Sequence, residues 1–214
     1  MKSLLLIVTL LFSALAISAC SVFGKETGFS VVSSHGDIQE IRQGIVHIGG
    51  EINRSYYKFD TYSLFVDADP VVESTQWLGI CPLPIIPIFG LFDDEPHDHL
   101  SISLVTRGNQ KNLSYEFHLL KANIEHKNTY YTPVKIKKEY RINEKYSSHT
   151  EYEIVSLPLS ISKEVHSLNL EYLLNPQTID DFTLDLEATI SHSEKFKDNI
   201  HFKKINVRIF GCIP

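Results

Sequence analysis

The chain has 214 residues, of which 21% are charged and 11% aromatic, and its formal net charge at pH 7 is −6. Binding to nucleic-acid phosphates requires a clustered basic surface, so this composition argues against nucleic acid as a partner. The length suits one large all-β domain, and the abundance of aromatic and β-branched residues favours pleated, half-buried strands.

The first twenty residues have the layout of an export signal. Lys2 precedes a nearly continuous apolar run, Leu4 to Ile17, and two small residues then lead to Cys20. An ordinary secretory site needs a small side chain three residues before the cut, where this chain has branched Ile17. Two alternatives stay open at this point: an uncleaved membrane helix, for which the run is short, and ordinary cleavage that leaves a free thiol.

The tetrapeptide Ile17-Ser18-Ala19-Cys20 resembles the lipobox of bacterial lipoproteins at all four positions. The resemblance implies diacylglycerol on the Cys20 thiol, removal of residues 1–19 as a signal peptide, and an acyl group on the new amino terminus. Several acyl chains hold a protein on a bilayer stably, whereas one chain binds only marginally. Because Ser21 and not aspartate follows the cysteine, the resemblance also implies the outer membrane, with the domain facing the periplasm or the outside. Membrane lipid is thus the partner expected through Cys20, and an envelope protein is a second expected partner.

Residues 20–28 are polar and contain two glycines, so we expect a short lipidated tether before a single domain over residues 29–214. At about 3.5 Å per residue, this tether would keep the domain within roughly 30 Å of the bilayer. In the amino-terminal part of the domain, strands are expected at Phe29–Ser33, Gly44–Ile52 and Tyr56–Val66.

The segment Trp77–Phe92 contains three prolines and no charged residue. Proline lacks a backbone donor, which predicts an extended, polyproline-like chain at a sheet edge. Since monomers seldom expose large apolar patches, the segment either closes an open end of the core or is a contact surface for a partner protein or for lipid. The candidate contact residues are Trp77, Ile85, Ile86, Ile88, Phe89 and Phe92.

Two cysteines, Cys81 and Cys212, remain once Cys20 is lipidated. An even pair in an oxidising compartment predicts a disulfide between them. In the entropic model, a bridge between residues so far apart stabilises the fold by about 4–5 kcal/mol. Two free thiols or an intermolecular bond stay open, because a sequence does not show whether the sulfur atoms come close enough.

The run Asp93-Asp94-Glu95-Pro96-His97-Asp98-His99 is the cluster with metal-ligand chemistry. Its carboxylates suit calcium, and two imidazoles on an extended chain suit zinc, although zinc sites usually have a third protein ligand. The other interpretation is a solvated acidic turn that leads into a strand. The candidate ligands are His97, His99, Asp94 and Asp98, and the alternative function is a metal-binding protein or a metal-dependent hydrolase.

Period-two alternation dominates the rest of the chain and predicts strands with one buried face. The alternating sets are Leu100–Leu104, Leu113–Leu119, Val134–Ile142, Leu168–Leu174, Phe182–Ile190 and Ile205–Ile209. Phe202 is out of phase with the last set, so Lys203-Lys204 marks a bulge or the start of that strand. Turn signals separate the runs at Asp67–Pro70, Arg107–Asn109, Glu125–Asn128 and Asn175–Pro176.

These signals predict one all-β domain: an antiparallel β-sandwich, immunoglobulin-like in style, with about ten strands and a proline-rich apolar loop. The sequence has no nucleophile elbow, phosphate-binding glycine loop or dinucleotide motif, so we expect no catalytic residues and no cofactor beyond the lipid. The leading hypothesis is a lipid-anchored envelope protein whose sandwich is a non-enzymatic binding or scaffolding module close to the outer membrane.

Overall fold

The computed structural model describes residues 20–41, 46–48, 52–68, 73–80, 89–94, 98–108, 117–143, 148–161, 165–190 and 194–212. Within these ranges the regular structure is entirely β: sixteen strands form two antiparallel sheets around one main apolar core. The predicted antiparallel β-sandwich is confirmed, and the immunoglobulin-like style stays a prediction. The predicted number of about ten strands was too low, because several strands are only three or four residues long and show no extended alternation.

The larger sheet has nine strands. Its order is β10-β9-β15-β16-β1-β6-β7, with β13 also paired to β9 and β3 also paired to β16. The strands are β1 (Cys20–Ser33), β3 (Val46–Ile48), β6 (Glu73–Ile80), β7 (Phe89–Asp94), β9 (Phe117–His126), β10 (Thr129–Tyr131), β13 (Leu159–Ile161), β15 (Asp181–Ile190) and β16 (Glu194–Cys212).

The smaller sheet has seven strands in the order β12-β11-β14-β8-β5-β4-β2. The strands are β2 (Asp37–Glu40), β4 (Asn53–Lys58), β5 (Tyr62–Ala68), β8 (Leu100–Gly108), β11 (Lys135–Asn143), β12 (Ser148–Val155) and β14 (Val165–Tyr172).

Period-two burial fills the space between the sheets. In β15, buried residues alternate with partly exposed ones from Phe182 to Ile190, and β8 shows the same alternation from Leu100. The Phe182 ring stacks on Phe202 of β16 with centroids 4.8 Å apart, and it meets Phe29 of β1 edge-on at 5.1 Å. Because aromatic side chains bury the most apolar area per residue, this stack fixes which faces of β1, β15 and β16 turn to the other sheet.

Strand β1 lies inside the larger sheet and is hydrogen-bonded on both edges. It pairs with β16 from Ser21 to Ser33 and with β6 from Cys20 to Thr27. Residues 20–28 therefore belong to the sheet and do not form the separate tether expected from their composition. Pairing satisfies their backbone groups, and Glu26 in the middle of this stretch is 0% exposed.

The carboxyl-terminal strand β16 changes its buried face along its length. Ile200 and Phe202 belong to the main core, whereas Val207 belongs to a small second cluster with Ile52. Pairing continues through Lys203-Lys204, and the register shift lies in β1 between Val31 and Ser33. The bulge or strand start predicted at Lys203-Lys204 was therefore wrong.

Two other local predictions have clear outcomes. The single strand predicted over Tyr56–Val66 is wrong, because the chain turns between β4 and β5, where the Phe59 N–H donates to the Tyr62 carbonyl at 2.9 Å. The turn predicted at Glu125–Asn128 is confirmed: Lys127 and Asn128 have positive φ angles of 49° and 61°. Leu113 and most of the predicted strand Gly44–Ile52 lie outside the described residues, and the described part of the latter includes β3.

Candidate functional site

The predicted lipidation site lies at one end of the larger sheet. Cys20 is the first residue of β1, and its cross-strand partner is Ile80, the last residue of β6. On the other edge of β1, Ser21 pairs with Cys212, the last residue of β16. Since β6 and β7 are antiparallel neighbours, β7 begins at this end too. We call this region the anchor end and define it as residues 20–24, 76–80, 89–92 and 209–212.

The predicted Cys81–Cys212 disulfide stays a prediction, because Cys81 lies outside the described residues. Ile80 and Cys212 are two strands apart with β1 between them. Neighbouring strands are about 4.8 Å apart, so these two Cα atoms are separated by about 10 Å. Bridged cysteines have Cα atoms within about 7 Å of each other. The described end of β6 is therefore farther from Cys212 than two bridged cysteines are from each other.

The candidate contact segment Trp77–Phe92 falls partly on described strands. Trp77 belongs to β6, while Phe89 and Phe92 belong to β7; Ile85, Ile86 and Ile88 lie outside the described residues. Strand β7 ends the sheet, which agrees with the predicted edge position. Strand β6 pairs on both sides, so Trp77 lies within the sheet and not in a polyproline-like chain.

The candidate metal ligands are not brought together in the described part of the chain. Asp94 ends β7, Asp98 and His99 are exposed just before β8, and His97 lies outside the described residues. Among the described residues, no three His, Cys, Asp or Glu side chains are grouped to hold a metal ion. The metal-binding alternative stays a prediction.

A polar cluster that sequence reasoning missed lies at the opposite end of β1. Asp198 of β16 is 1% exposed, and its carboxylate accepts four hydrogen bonds. The Tyr57 hydroxyl and the His35 backbone N–H donate to Oδ2, the latter at 2.9 Å. His35 Nδ1 and the Asn199 backbone N–H donate to Oδ1 at 2.8 and 2.7 Å. We call Ser34, His35, Ser55, Tyr57 and Asp198 the Asp198 cluster.

The Asp198 cluster ties the two sheets together. Asp198 belongs to the larger sheet, Tyr57 belongs to the smaller one, and His35 lies in the turn between β1 and β2. Burial raises the pKa of Tyr57 above its ordinary value of 10.0, and the hydrogen bond to the Asp198 carboxylate raises it further. The phenol therefore stays neutral, and remains a donor to Asp198, well above neutral pH.

His35 is the exposed member of the cluster, with 83% of its side chain accessible. Because the Asp198 carboxylate accepts from Nδ1, the neutral ring carries its acceptor at Nε2, as in metal-binding histidines and general bases. The nearby hydroxyl is committed elsewhere: Ser34 Oγ donates to the Gly36 carbonyl at 3.1 Å and accepts from Ser55 Oγ at 2.7 Å. The Asp198 cluster therefore connects the two sheets through hydrogen bonds and exposes one imidazole.

The sequence did contain one signal for this cluster. Phe196, Asp198, Ile200 and Phe202 alternate with polar residues, which places an aspartate on the apolar face of a strand. A buried carboxylate requires donors around it. Tyr57 and His35 are 141 and 163 residues away in the chain, so the alternation does not say which donors those are.

Gly36 allows the turn of this cluster to lie against Tyr57. A Cβ atom at position 36 would lie 2.6 Å from the Tyr56 carbonyl oxygen and 2.7 Å from Cε1 of Tyr57. Gly36→Ala is expected to lower the free energy of unfolding by about 1–3 kcal/mol, the usual cost of forcing atoms into a packed site. Urea denaturation measures this, with Gly108→Ala at the exposed end of β8 as the matched control. Equal effects of the two substitutions would contradict the close approach.

A cavity of about 260 Å³ lies where the chain passes between the sheets on the side away from β7. Its lining includes Asn123 of β9, Ile136 of β11 and Leu157 after β12. The charged side chain of the lining, Lys135, has its Nζ 3.9 Å from a Glu171 oxygen. The charged residue of this lining is therefore already paired with a carboxylate.

No protein-family model, curated protein or solved structure matches this chain. The residues that the structure describes include no helix long and apolar enough to cross a membrane. The features of this chain that bear on its function are the anchor end, the Asp198 cluster and the amino-terminal motif.

Proposed function

We propose that this chain is a lipid-anchored protein of the bacterial envelope, and that its β-sandwich is a non-enzymatic binding or scaffolding module held at the outer membrane. The observation that carries the proposal is the position of Cys20. The cysteine of the lipobox-like tetrapeptide is also the first residue of β1, which is paired on both edges.

This position gives the lipid a rigid attachment. With no separate tether between Cys20 and the sheet, acyl chains on Cys20 hold β1 itself at the bilayer. Strand β1 then runs for fourteen residues, or roughly 46 Å at about 3.3 Å per residue, to the turn that carries His35. The end of the sandwich that contains the Asp198 cluster is therefore presented away from the lipid, where a partner in the envelope can bind.

Substitution of the anchoring cysteine tests the proposal. Wild-type protein is expected to incorporate labelled palmitate and to fractionate with membranes, whereas Cys20→Ser incorporates none and leaves at least about tenfold less protein in the membrane fraction. Cys212→Ser is the matched control for the loss of a cysteine, because it leaves the lipobox unchanged. Membrane association of Cys20→Ser, or absence of palmitate from the wild type, would contradict the proposal.

Crosslinking in intact cells tests the binding role. A photoreactive residue at position 35, in the exposed turn of the Asp198 cluster, is expected to form a discrete adduct with an envelope protein identified by mass spectrometry. The same probe at Ile154, which is 71% exposed on β12, is the control, since that position is accessible but lies outside the Asp198 cluster. Absence of any adduct from position 35 in a protein that is correctly lipidated would contradict a binding surface at this end.

A further inference from the structure

Charged residues stop at a common level along the larger sheet. The register aligns Arg208 of β16, Lys25 of β1, Thr75 of β6 and Asp93 of β7 in one row. Beyond this row, towards Cys20, the four strands carry no Asp, Glu, Lys or Arg; these are the residues of the anchor end. Charged residues are therefore absent from the same end of all four strands, although the strands come from distant parts of the sequence.

The uncharged end has the composition of a membrane contact. Its five residues on β1 extend about 16 Å along the strand. One row within it consists of Phe210, Phe23 and Trp77. Aromatic residues, tryptophan above all, are enriched at membrane–water interfaces. Strand β3 adds His47, opposite Ile209, as the one imidazole at this level among the described residues.

Because the proposed lipid anchor is attached at Cys20, the partner expected at the anchor end is a bilayer. Cys20 and its partner Ile80 have Cα atoms about 5 Å apart, the spacing of residues directly opposite in antiparallel strands. Acyl chains on Cys20 that enter a bilayer therefore bring the ends of β6 and β16 to the same bilayer. Residues 81–88, which connect β6 to β7 in the sequence, are also uncharged.

We infer that the anchor end contacts the bilayer that holds the Cys20 lipid, with the row of Phe210, Phe23 and Trp77 in the interfacial region and the row of Lys25, Arg208 and Asp93 on its aqueous side. This inference rests on the lipid anchor proposed above. Insertion stops near the aromatic row, because β7, the last strand of this sheet among the described residues, begins opposite Leu78, and hydrocarbon cannot satisfy the backbone groups of an unpaired edge. Two contacts, lipid and sheet, then fix the orientation of the sandwich on the membrane.

The single tryptophan of the chain, Trp77, reports on this contact directly. The experiment uses full-length lipidated protein in vesicles of phosphatidylethanolamine and phosphatidylglycerol, some with brominated acyl chains. We expect Trp77 emission to shift to shorter wavelength on vesicle binding and brominated lipid to quench it to about half or less, as for a residue at interfacial depth. Unchanged emission from protein that floats with the vesicles would overturn the inference and leave the lipid anchor in place. Failure of the wild type to float would instead overturn the anchor.

A matched pair of substitutions provides a second readout. Ile80→Glu introduces a charge beside Cys20 and is expected to abolish quenching while the lipid still carries the protein to the vesicles. Ile154→Glu introduces the same charge on β12 of the other sheet, at a residue that is 71% exposed, and is expected to quench like the wild type. If Ile80→Glu lacks a cooperative urea transition, quenching of the wild type decides. A photoreactive residue at position 80 that labels a protein and no lipid in cells would show a different occupant and overturn the inference.

Discussion

Asp198→Ala is expected to lower the free energy of unfolding by about 3–5 kcal/mol, because it removes a buried carboxylate that accepts several hydrogen bonds. The substitution leaves the Tyr57 hydroxyl and two backbone N–H groups without their acceptor. Each buried donor left unsatisfied costs about 1–3 kcal/mol. The substitution also removes the contacts that hold His35 to β16. Urea denaturation at pH 7 measures the loss.

Two further substitutions separate this effect from a general effect of charge removal. Glu187→Ala removes a carboxylate of the solvent-facing ion pair with Lys197, whose Nζ lies 2.7 Å away, and is expected to cost less than about 1 kcal/mol. Asp198→Asn keeps an acceptor for Tyr57 but places an NH₂ group among donors, so its loss should fall between those of the other two variants. A loss below about 1 kcal/mol for Asp198→Ala would contradict a tie between the sheets.

Alternation predicted the core of the sandwich well because burial in a strand depends on local phase. Phe182 to Ile190 was predicted as one strand with one buried face, and β15 has this pattern. The error at Tyr56–Val66 has a local cause: Phe59 and Tyr62 continue the aromatic composition across the turn, and their rings pack together at 4.8 Å. Composition alone therefore did not indicate the turn between β4 and β5.

The amino-terminal stretch shows where composition misleads. Lys25, Glu26 and Thr27 between two glycines have the composition of a linker, yet they are paired with β16 and β6. Both sets of partners come later in the chain. Glu26, for example, pairs with Ser74 on one edge and with Val207 on the other. A single sequence contains no local signal for pairing over such distances.

The same limit applies to the two candidate sites. The lipobox resemblance identified Cys20 from adjacent residues, but the row of Arg208, Lys25 and Asp93 exists only once the register of four strands is known. Likewise, the donors to Asp198 come from a turn and a strand that the alternation of β16 does not identify. A motif of adjacent residues could be identified from the sequence, whereas the grouping of distant residues could be seen only in the fold.

Alkaline pH is expected to destabilise the protein steeply above pH 10, because two tyrosines keep their protons in the folded state. Burial raises the pKa of both Tyr57 and Tyr172 above the ordinary value of 10.0. Tyr172 is 0% exposed, and its hydroxyl donates to the Ala122 carbonyl at 3.0 Å. In the unfolded chain both phenols lose their protons near pH 10. The unfolded state then binds fewer protons than the folded state, so the free energy of unfolding falls as pH rises.

The expected slope is about 1.4 kcal/mol per pH unit for each of the two tyrosines once the unfolded phenol is ionised. Two lysines act in the same direction: hydrogen bonds to Asp185 and Glu187 raise the pKa of Lys121 and Lys197, respectively. Their side chains are 36% and 59% exposed, so measurement at about 1 M salt screens most of their contribution to the slope. The pH dependence of the free energy of unfolding that remains at high salt is the part expected from the buried phenols.

Phenylalanine substitutions assign this slope to particular residues. Tyr172→Phe is expected to cost about 1 kcal/mol at pH 7, through loss of the hydrogen bond to Ala122, and to reduce the decline in stability above pH 10 by about 1.4 kcal/mol per pH unit. Tyr57→Phe is expected to reduce the decline by a similar amount, because burial raises the pKa of its hydroxyl as well. Tyr130→Phe is the matched control, because Tyr130 is 62% exposed, and its stability curve should run parallel to that of the wild type. If the urea midpoints of all four proteins fall in parallel with pH, ionisation of these two phenols does not govern alkaline unfolding, and the packing around Asp198 and Ala122 must admit solvent.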